Sequence, residues 1–177
     1  MVQAFPPRHP MITARTHLKL ITDQDWLEFL SMYQEPEVFR YIPKLERRSE
    51  AEYQHFFNSR LQWVQSGQGY YWAARSIEDG KLIGALNLYP YHKPGMIHLG
   101  CQIRRQYWGL GYATEIMAAG RDFGIFQLGL PIIYAFVDIN HLASIHLLEK
   151  LKFVQSSIEK SNTGSLTAVY QYIYPGD

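Results

Sequence analysis

The sequence predicts a mixed α/β domain (α+β in its segregation of strands), with a largely antiparallel central sheet of about seven strands flanked by four helices. Three observations predict it. Runs with period-2 apolar alternation and longer runs with period-3.6 stripes follow one another in the order β-α-α-β-β-β-α-β-α-β-β. The middle three strands are joined by turns too short for a crossover helix, so they pair antiparallel. The 177 residues, 47% hydrophobic and 19% charged, supply one core and show no repeat, low-complexity tract or linker.

Residues 1–12 are proline-rich and lack an apolar signal core, so they read as a flexible tail ahead of a single domain over 13–177. Thr13 to Ile21, with Leu18 and Leu20 set among polar neighbours, is the first strand. Thr22 or Asp23 caps a helix over Gln24 to Tyr33, with Trp26, Phe29 and Leu30 on one side. Glu35-Pro36-Glu37 interrupts, and Val38 to Pro43 is a short apolar connector. Ser49 followed three residues later by Glu52 is a capping box, opening a helix to about Ser66 with a stripe of Tyr53, Phe56, Phe57, Leu61 and Val64. Tyr70 to Ser76 and Leu82 to Tyr89 form a hairpin about Glu78-Asp79-Gly80-Lys81, and Met96 to Ile103 follows the turn from Tyr91 to Gly95. A helix over Tyr112 to Phe126, a buried strand over Ile132 to Val137 and a helix over Asn140 to Leu151 come next. Strands over Phe153 to Glu159 and Leu166 to Tyr174, around the turn Asn162-Thr163-Gly164, complete the chain.

Seventeen Lys+Arg against sixteen Asp+Glu leave a net charge of +1, so no global field draws in nucleic acid or an anionic membrane. The single cysteine, Cys101, excludes an internal disulfide and fits a reducing, cytoplasmic compartment. No apolar run approaches the roughly 20 residues of a membrane span. His55, His92 and His146 show no ligand spacing, and His141 with His146 at i, i+5 is poorly placed for one metal; no metal is expected.

The most informative stretch is Gln102-Ile103-Arg104-Arg105-Gln106-Tyr107-Trp108-Gly109-Leu110-Gly111-Tyr112-Ala113-Thr114-Glu115. A strand enters it and a helix leaves it. Gly109 and Gly111 let the backbone take dihedrals that a Cβ forbids. The helix that follows turns its unpaired N–H groups and positive dipole end back on the bend, the physical recipe for holding a phosphate. Thr114 stands where a dinucleotide fingerprint needs its third glycine, and the Gly-Lys-Ser/Thr of a P-loop is absent.

Gln-x-x-Gly-x-Gly followed by Tyr-Ala-Thr-Glu, with Tyr107-Trp108 ahead, resembles the acetyl-CoA pyrophosphate loop of the GNAT superfamily of N-acetyltransferases. Within it the stretch looks like the RimJ/RimL branch of ribosomal-protein acetyltransferases, where "yWGxGyatE" is typical. Asn140 to Phe153 is similar to the family's "NxxSixxLeKlGF", and the element order is that of the family over about Thr13 to Tyr174.

Acetyl transfer from a thioester to an amine needs a phosphate cradle, donors to the thioester carbonyl, a route for the ammonium proton and an acid for the leaving thiolate. Main-chain N–H groups of Trp108, Gly109, Leu110, Gly111, Tyr112, Ala113 and Thr114 supply the cradle. Arg104 and Arg105 either add charge to the CoA phosphates or are solvated surface arginines. The resemblance places the carbonyl-polarising main chain near Gln102 and Ile103. Ser144 shares the inward helix face with Leu147, Leu148 and Leu151; it either back-bonds to the i−4 carbonyl or, as in the resembled branch, protonates the CoA sulfur. Many relatives carry a tyrosine acid one turn later, where this chain has Leu148. The family's asparagine that contacts the pantetheine arm falls on His141 by strict register, with Asn140 one residue early: either His141 touches the cofactor or Asn140 caps the helix. His98 stands where the family often has a glutamate base, and is either that base or an ordinary strand histidine. Cys101 is expected to be a small buried residue, since the loop implies direct transfer without an acyl-enzyme.

The resemblance implies acetyl-CoA as the acetyl donor and a primary amine, a protein N-terminus or a small molecule, as acceptor. The acceptor cleft is expected between the first two helices, the Val38 to Pro43 connector and the turn between the last strands. A monomer or a homodimer is compatible with the chain. The alternatives are a non-catalytic CoA-binding or regulatory module, and a binder of another phosphate ligand at the same turn.

Overall fold

The computed structural model describes residues 10–42, 45–161 and 164–176. Residues 1–9 of the expected tail, Pro43 of the connector and Asn162-Thr163 of the last turn lie outside the described residues. The elements are β1 (Met11–Ile12), β2 (Thr16–Leu20), α1 (Trp26–Tyr33), α2 (Glu50–Gln65), β3 (Tyr70–Ser76), β4 (Leu82–Pro90), β5 (Ile97–Ile103), α3 (Tyr112–Asp122), β6 (Ile132–Asp138), α4 (Leu142–Lys150), β7 (Val154–Lys160) and β8 (Leu166–Ile173).

The strands form one sheet in the order β1-β2-β3-β4-β5-β6-β8-β7. Every pairing is antiparallel except β5 with β6. Eight strands replace the expected seven because the end of the expected tail pairs as well: Thr13 bonds across a tight turn to Thr16, folding Met11–Ile12 back on His17 and Leu18. Alternation alone does not reveal a two-residue strand. Met11 and Ile12, assigned by sequence to the tail, are therefore paired.

The capping box at Ser49 forms as its spacing predicts. Ser49 Oγ accepts from the Glu52 N–H while Glu52 accepts from the Ser49 N–H at 2.8 Å, satisfying donors the helix start leaves open. α1 starts two residues later than expected, since Asp23–Asp25 form a 3-10 turn. α3 continues through Phe123–Gln127 with wider π-type bonds, including Leu128 N–H to Phe123 O at 3.2 Å.

The sheet separates two cores. On one face α1 and α2 bring Phe29, Tyr33, Phe57 and Tyr53 against Tyr71, Ala73 and Ala85. On the other, α3 brings Ile116 and Met117 against Leu86, Leu88, Leu99 and Ile133. α3 lies close because Gly120 lacks a Cβ, which would meet Leu99 Cδ1 at 2.8 Å. Each fully buried aromatic or aliphatic side chain contributes roughly 1.5–3 kcal/mol. Among the described residues no helix is long and apolar enough to cross a membrane.

Candidate active site

β5 and β6 share a single bridge, His98 with Tyr134, and separate beyond it. Parallel strands that part leave main-chain groups on their inner edges without ladder partners. On β5 the alternation of the β4 ladder decides which groups these are. Arg104 N–H bonds to Ile83 O on β4, so the opposite set, including Ile103, faces the split. Ile103 O is taken there by the Trp108 indole N–H at 2.7 Å. Cys101 shares the orientation of Ile103 and presents its N–H and C=O to the split, so the open main chain lies one residue earlier than Gln102.

The bend follows directly. Gly109 and Gly111 have φ of +75° and +82°, and Gly111 is the residue before the first turn of α3. Only glycine takes that region without strain. Among the described residues, the N–H groups of Gly109, Leu110 and Gly111 donate to no group of the chain. Those of Tyr112, Ala113 and Thr114 are the free first-turn donors of α3. A clamp that sequence reasoning missed holds the bend. Glu115 accepts from Arg15 Nε at 2.7 Å, from Arg15 N–H at 2.8 Å and from Thr13 Oγ at 2.5 Å, while Arg15 Nη1 reaches Leu110 O at 3.0 Å. Burial opposes ionisation of Glu115, but the Thr13 and Arg15 bonds outweigh it and hold the carboxyl below its ordinary range. Nothing local links residues 13–15 to 110–115; their approach is a tertiary event.

A groove of ≈ 460 Å³ runs from the bend between β5 and α4. Of the expected cofactor residues, Gln102, Ile103, Trp108, Gly109, Gly111, Tyr112, Ala113 and Thr114 line it. His141 and Ser144 line it from α4. Leu110 is exposed and does not. His146, Leu147 and Lys150 of α4, with Glu37 and Val38 ahead of α2, also line the groove and were not among the expected cofactor residues. Lys150 lay within the "LeK" of the motif and was legible; Val38 was expected in the acceptor cleft, and its place on this groove is set by tertiary packing.

Arg104 is engaged elsewhere: its Nε bonds Glu35 at 2.7 Å and its Nη2 bonds Ser31 Oγ at 3.0 Å, tying β5 to α1. The Arg105 guanidinium lies 4.8 Å over the Trp108 ring, and neither arginine lines the groove. An arginine already bonded to a carboxylate has little charge left to offer a phosphate, which counts against that role for Arg104. Asn140 neither caps α4 nor lines the groove; its N–H and side-chain amide both turn back to Asp138 Oδ1, and His141 is the capping residue. The His141 ring stacks 4.2 Å from Tyr41, and burial lowers its pKa against the pull of Asp138.

Ser144 is half-buried, at the point where the stripe of Leu148 and Leu151 meets the groove. Its hydroxyl bonds to no described residue, so the i−4 back-bond is not made and the O–H is available. Leu148, one turn on from Ser144, is buried and offers no hydroxyl. Cys101 lines the groove with its thiol pushed up to about 12 by burial, which keeps it protonated.

His98 sits at the closed apex of the split among Tyr89, Tyr91 and Phe136. Its Nδ1 is buried without a partner. Desolvation, then the nearby Arg60 charge, push its pKa down to about 3. An imidazole that releases its proton so readily accepts one from an ammonium poorly, so its surroundings work against the expected base role. Gln102 is held by the Tyr71 hydroxyl at 3.3 Å, and Tyr71 by Tyr33 at 3.4 Å. Among the described residues no group of three His, Cys, Asp or Glu is placed to hold a metal ion.

Known proteins share this fold. The family described as acetyltransferase (GNAT) domain matches residues 15–154. An uncharacterized N-acetyltransferase, YoaA, of Bacillus subtilis is 26% identical over 92% of this chain and 96% of its own length. The fold matches ribosomal-protein-S5-alanine acetyltransferase from Vibrio fischeri with a TM-score of 0.77 at 15% identity, over 94% and 97% of the two chains. It matches spermidine N-acetyltransferase from Vibrio cholerae, solved with CoA and spermine, with a TM-score of 0.75 at 15% identity over 89% and 95%. With the family matched over residues 15–154, most of the chain, this chain belongs to the GNAT family of acetyltransferases.

Proposed function

We propose that the chain transfers acetyl from acetyl-CoA directly to a primary amine, in a ternary complex. The observation that carries this reading is the row of undonated N–H groups at Gly109, Leu110 and Gly111, opening into a groove that leads to the split between β5 and β6. The N–H groups hold the diphosphate with the help of the α3 dipole. Lys150 lines the same groove and adds positive charge along it. The Cys101 N–H meets the thioester carbonyl, and donors fixed before reaction stabilise the developing oxyanion without reorganising. The amine nitrogen bonds to the thioester carbon; as the C–S bond breaks, the Ser144 hydroxyl passes a proton to the departing thiolate and recovers one from that nitrogen. The ammonium loses its proton to water, since His98 stays neutral and weakly basic. Serine in place of the tyrosine acid, together with the Trp108 to Glu115 loop, is what favours the RimJ/RimL branch.

The test is release of free CoA thiol when acetyl-CoA meets a panel of primary amines. Turnover with at least one amine, and a higher melting temperature with acetyl-CoA than with nucleotides, is the expected result. Binding of acetyl-CoA with no turnover on any amine refutes catalysis.

A further inference from the structure

Four arginines among the described residues are partly buried: Arg60, Arg75, Arg104 and Arg121. Three have carboxylate partners. Arg75 bonds Asp25 and Glu28, Arg104 bonds Glu35, and Arg121 bonds Asp122. Arg60, on α2, has none. Its guanidinium is held by rings instead, 3.6 Å over Trp63, 4.5 Å over Phe56 and 5.6 Å from Tyr89. Aromatic faces hold the flat side of a guanidinium and leave its N–H edge free for a carboxylate fork.

Arg60 lies over the sheet face that α1 and α2 cover. Its field acts on Tyr33, Tyr71, Tyr89 and His98. On this face β4 and β5 place Asn87 opposite Gly100, Tyr89 opposite His98 and Ala85 opposite Gln102. Gly100 has no side chain, and His98 and Asn87 close over the strand there. A Cβ there would stand 2.8 Å from His98 Nε2 and 3.2 Å from Asn87 Oδ1. Asn87 is 4% exposed, yet its Oδ1 has no hydrogen-bond partner. A buried acceptor left unmade costs about 1–3 kcal/mol unless a ligand satisfies it. An unpaired cation and an orphaned acceptor thus share one face beside the split, opposite the groove that α4 lines.

We propose that Arg60 binds a carboxylate of the acetyl acceptor, so that the preferred acceptor is a small primary amine that also carries a carboxylate, as an amino acid does. The inference rests on the acetyl-transfer reading above. Asn87 Oδ1 accepts an N–H of the acceptor's amine, and Arg60 takes the carboxylate in a bidentate pair. A polyamine is disfavoured, because its second ammonium would meet an uncompensated guanidinium.

The experiment measures thiol release from acetyl-CoA with glutamate, methionine and phenylalanine, each beside its amide and its decarboxylated amine, and with spermidine and an alanyl peptide. Wild type is expected to prefer at least one acid over its amide by tenfold or more in kcat/KM. Arg60→Gln collapses that ratio towards one by raising KM for the acid, with KM for acetyl-CoA unchanged. Arg60→Lys keeps the charge and the stem, so it falls between and serves where Arg60→Gln does not fold. Equal use of acid and amide by wild type, or preference for spermidine or the peptide, overturns the inference and leaves acetyl transfer standing. No thiol release with any amine overturns the acetyl-transfer reading itself.

Discussion

Replacing Gly109 by alanine changes one dihedral preference and almost nothing else. A Cβ built at Gly109 meets no atom within 4 Å, so there is no steric term. The φ of +75° remains, and holding an L-residue there costs about 1–2 kcal/mol. That energy has two places to appear. If the bend keeps its shape, stability falls, and for a domain of this size the melting temperature drops by roughly 2–8 °C. If the bend relaxes, its N–H groups turn from the diphosphate and acetyl-CoA binds roughly 5–30-fold more weakly. Calorimetric titration with acetyl-CoA and a thermal melt, run together on Gly109→Ala, read both. Gly109→Asn should recover most of either loss, since asparagine enters the left-handed region more readily than other side chains. Losses below twofold in affinity and below 1 °C in melting together would refute a bend held by positive φ. An asparagine variant as impaired as alanine would refute it equally.

Ser144→Ala should lower kcat by about 100-fold with KM for acetyl-CoA nearly unchanged, as expected for loss of a general acid; a change within threefold removes Ser144 from the chemistry. Glu115→Gln should loosen the Thr13–Arg15 clamp and cost about 1 kcal/mol, seen as a melting drop of roughly 2–4 °C, because Arg15 is substantially solvated. The carboxyl is held below its unfolded pKa, so its stabilisation is present above about pH 4.3 and is lost as pH falls through the lower folded value; the Gln variant should lack that acid-side loss. His98 gives the opposite titration to a surface histidine. With its folded pKa near 3 and an unfolded value of about 6.5, the unfolded chain binds the extra proton between them, so stability declines on acidification by up to about 1.4 kcal/mol per pH unit across that window. His98→Gln should flatten that slope relative to wild type in denaturant titrations at successive pH values, and an unchanged slope would show that His98 titrates normally.

The sequence by itself determined what depends on neighbours a few residues apart. The Ser49–Glu52 box, the β3–β4 hairpin, the paired glycines ahead of α3 and the apolar faces of α2 and α4 are local patterns, and each formed within a few residues of its expected place. The bend and most of its groove-lining neighbours were legible for the same reason, since they are contiguous along the chain. Tertiary structure alone decided which polar groups were already spoken for. Glu35 takes Arg104 across 69 residues and so removes a candidate charge, and Arg15 reaches Glu115 across 100 to clamp the bend; no local pattern announces either partner. The same holds for His98 and Arg60. The basicity of one and the unpaired charge of the other are set by desolvation and long-range packing, which arise only when α2 closes over the sheet.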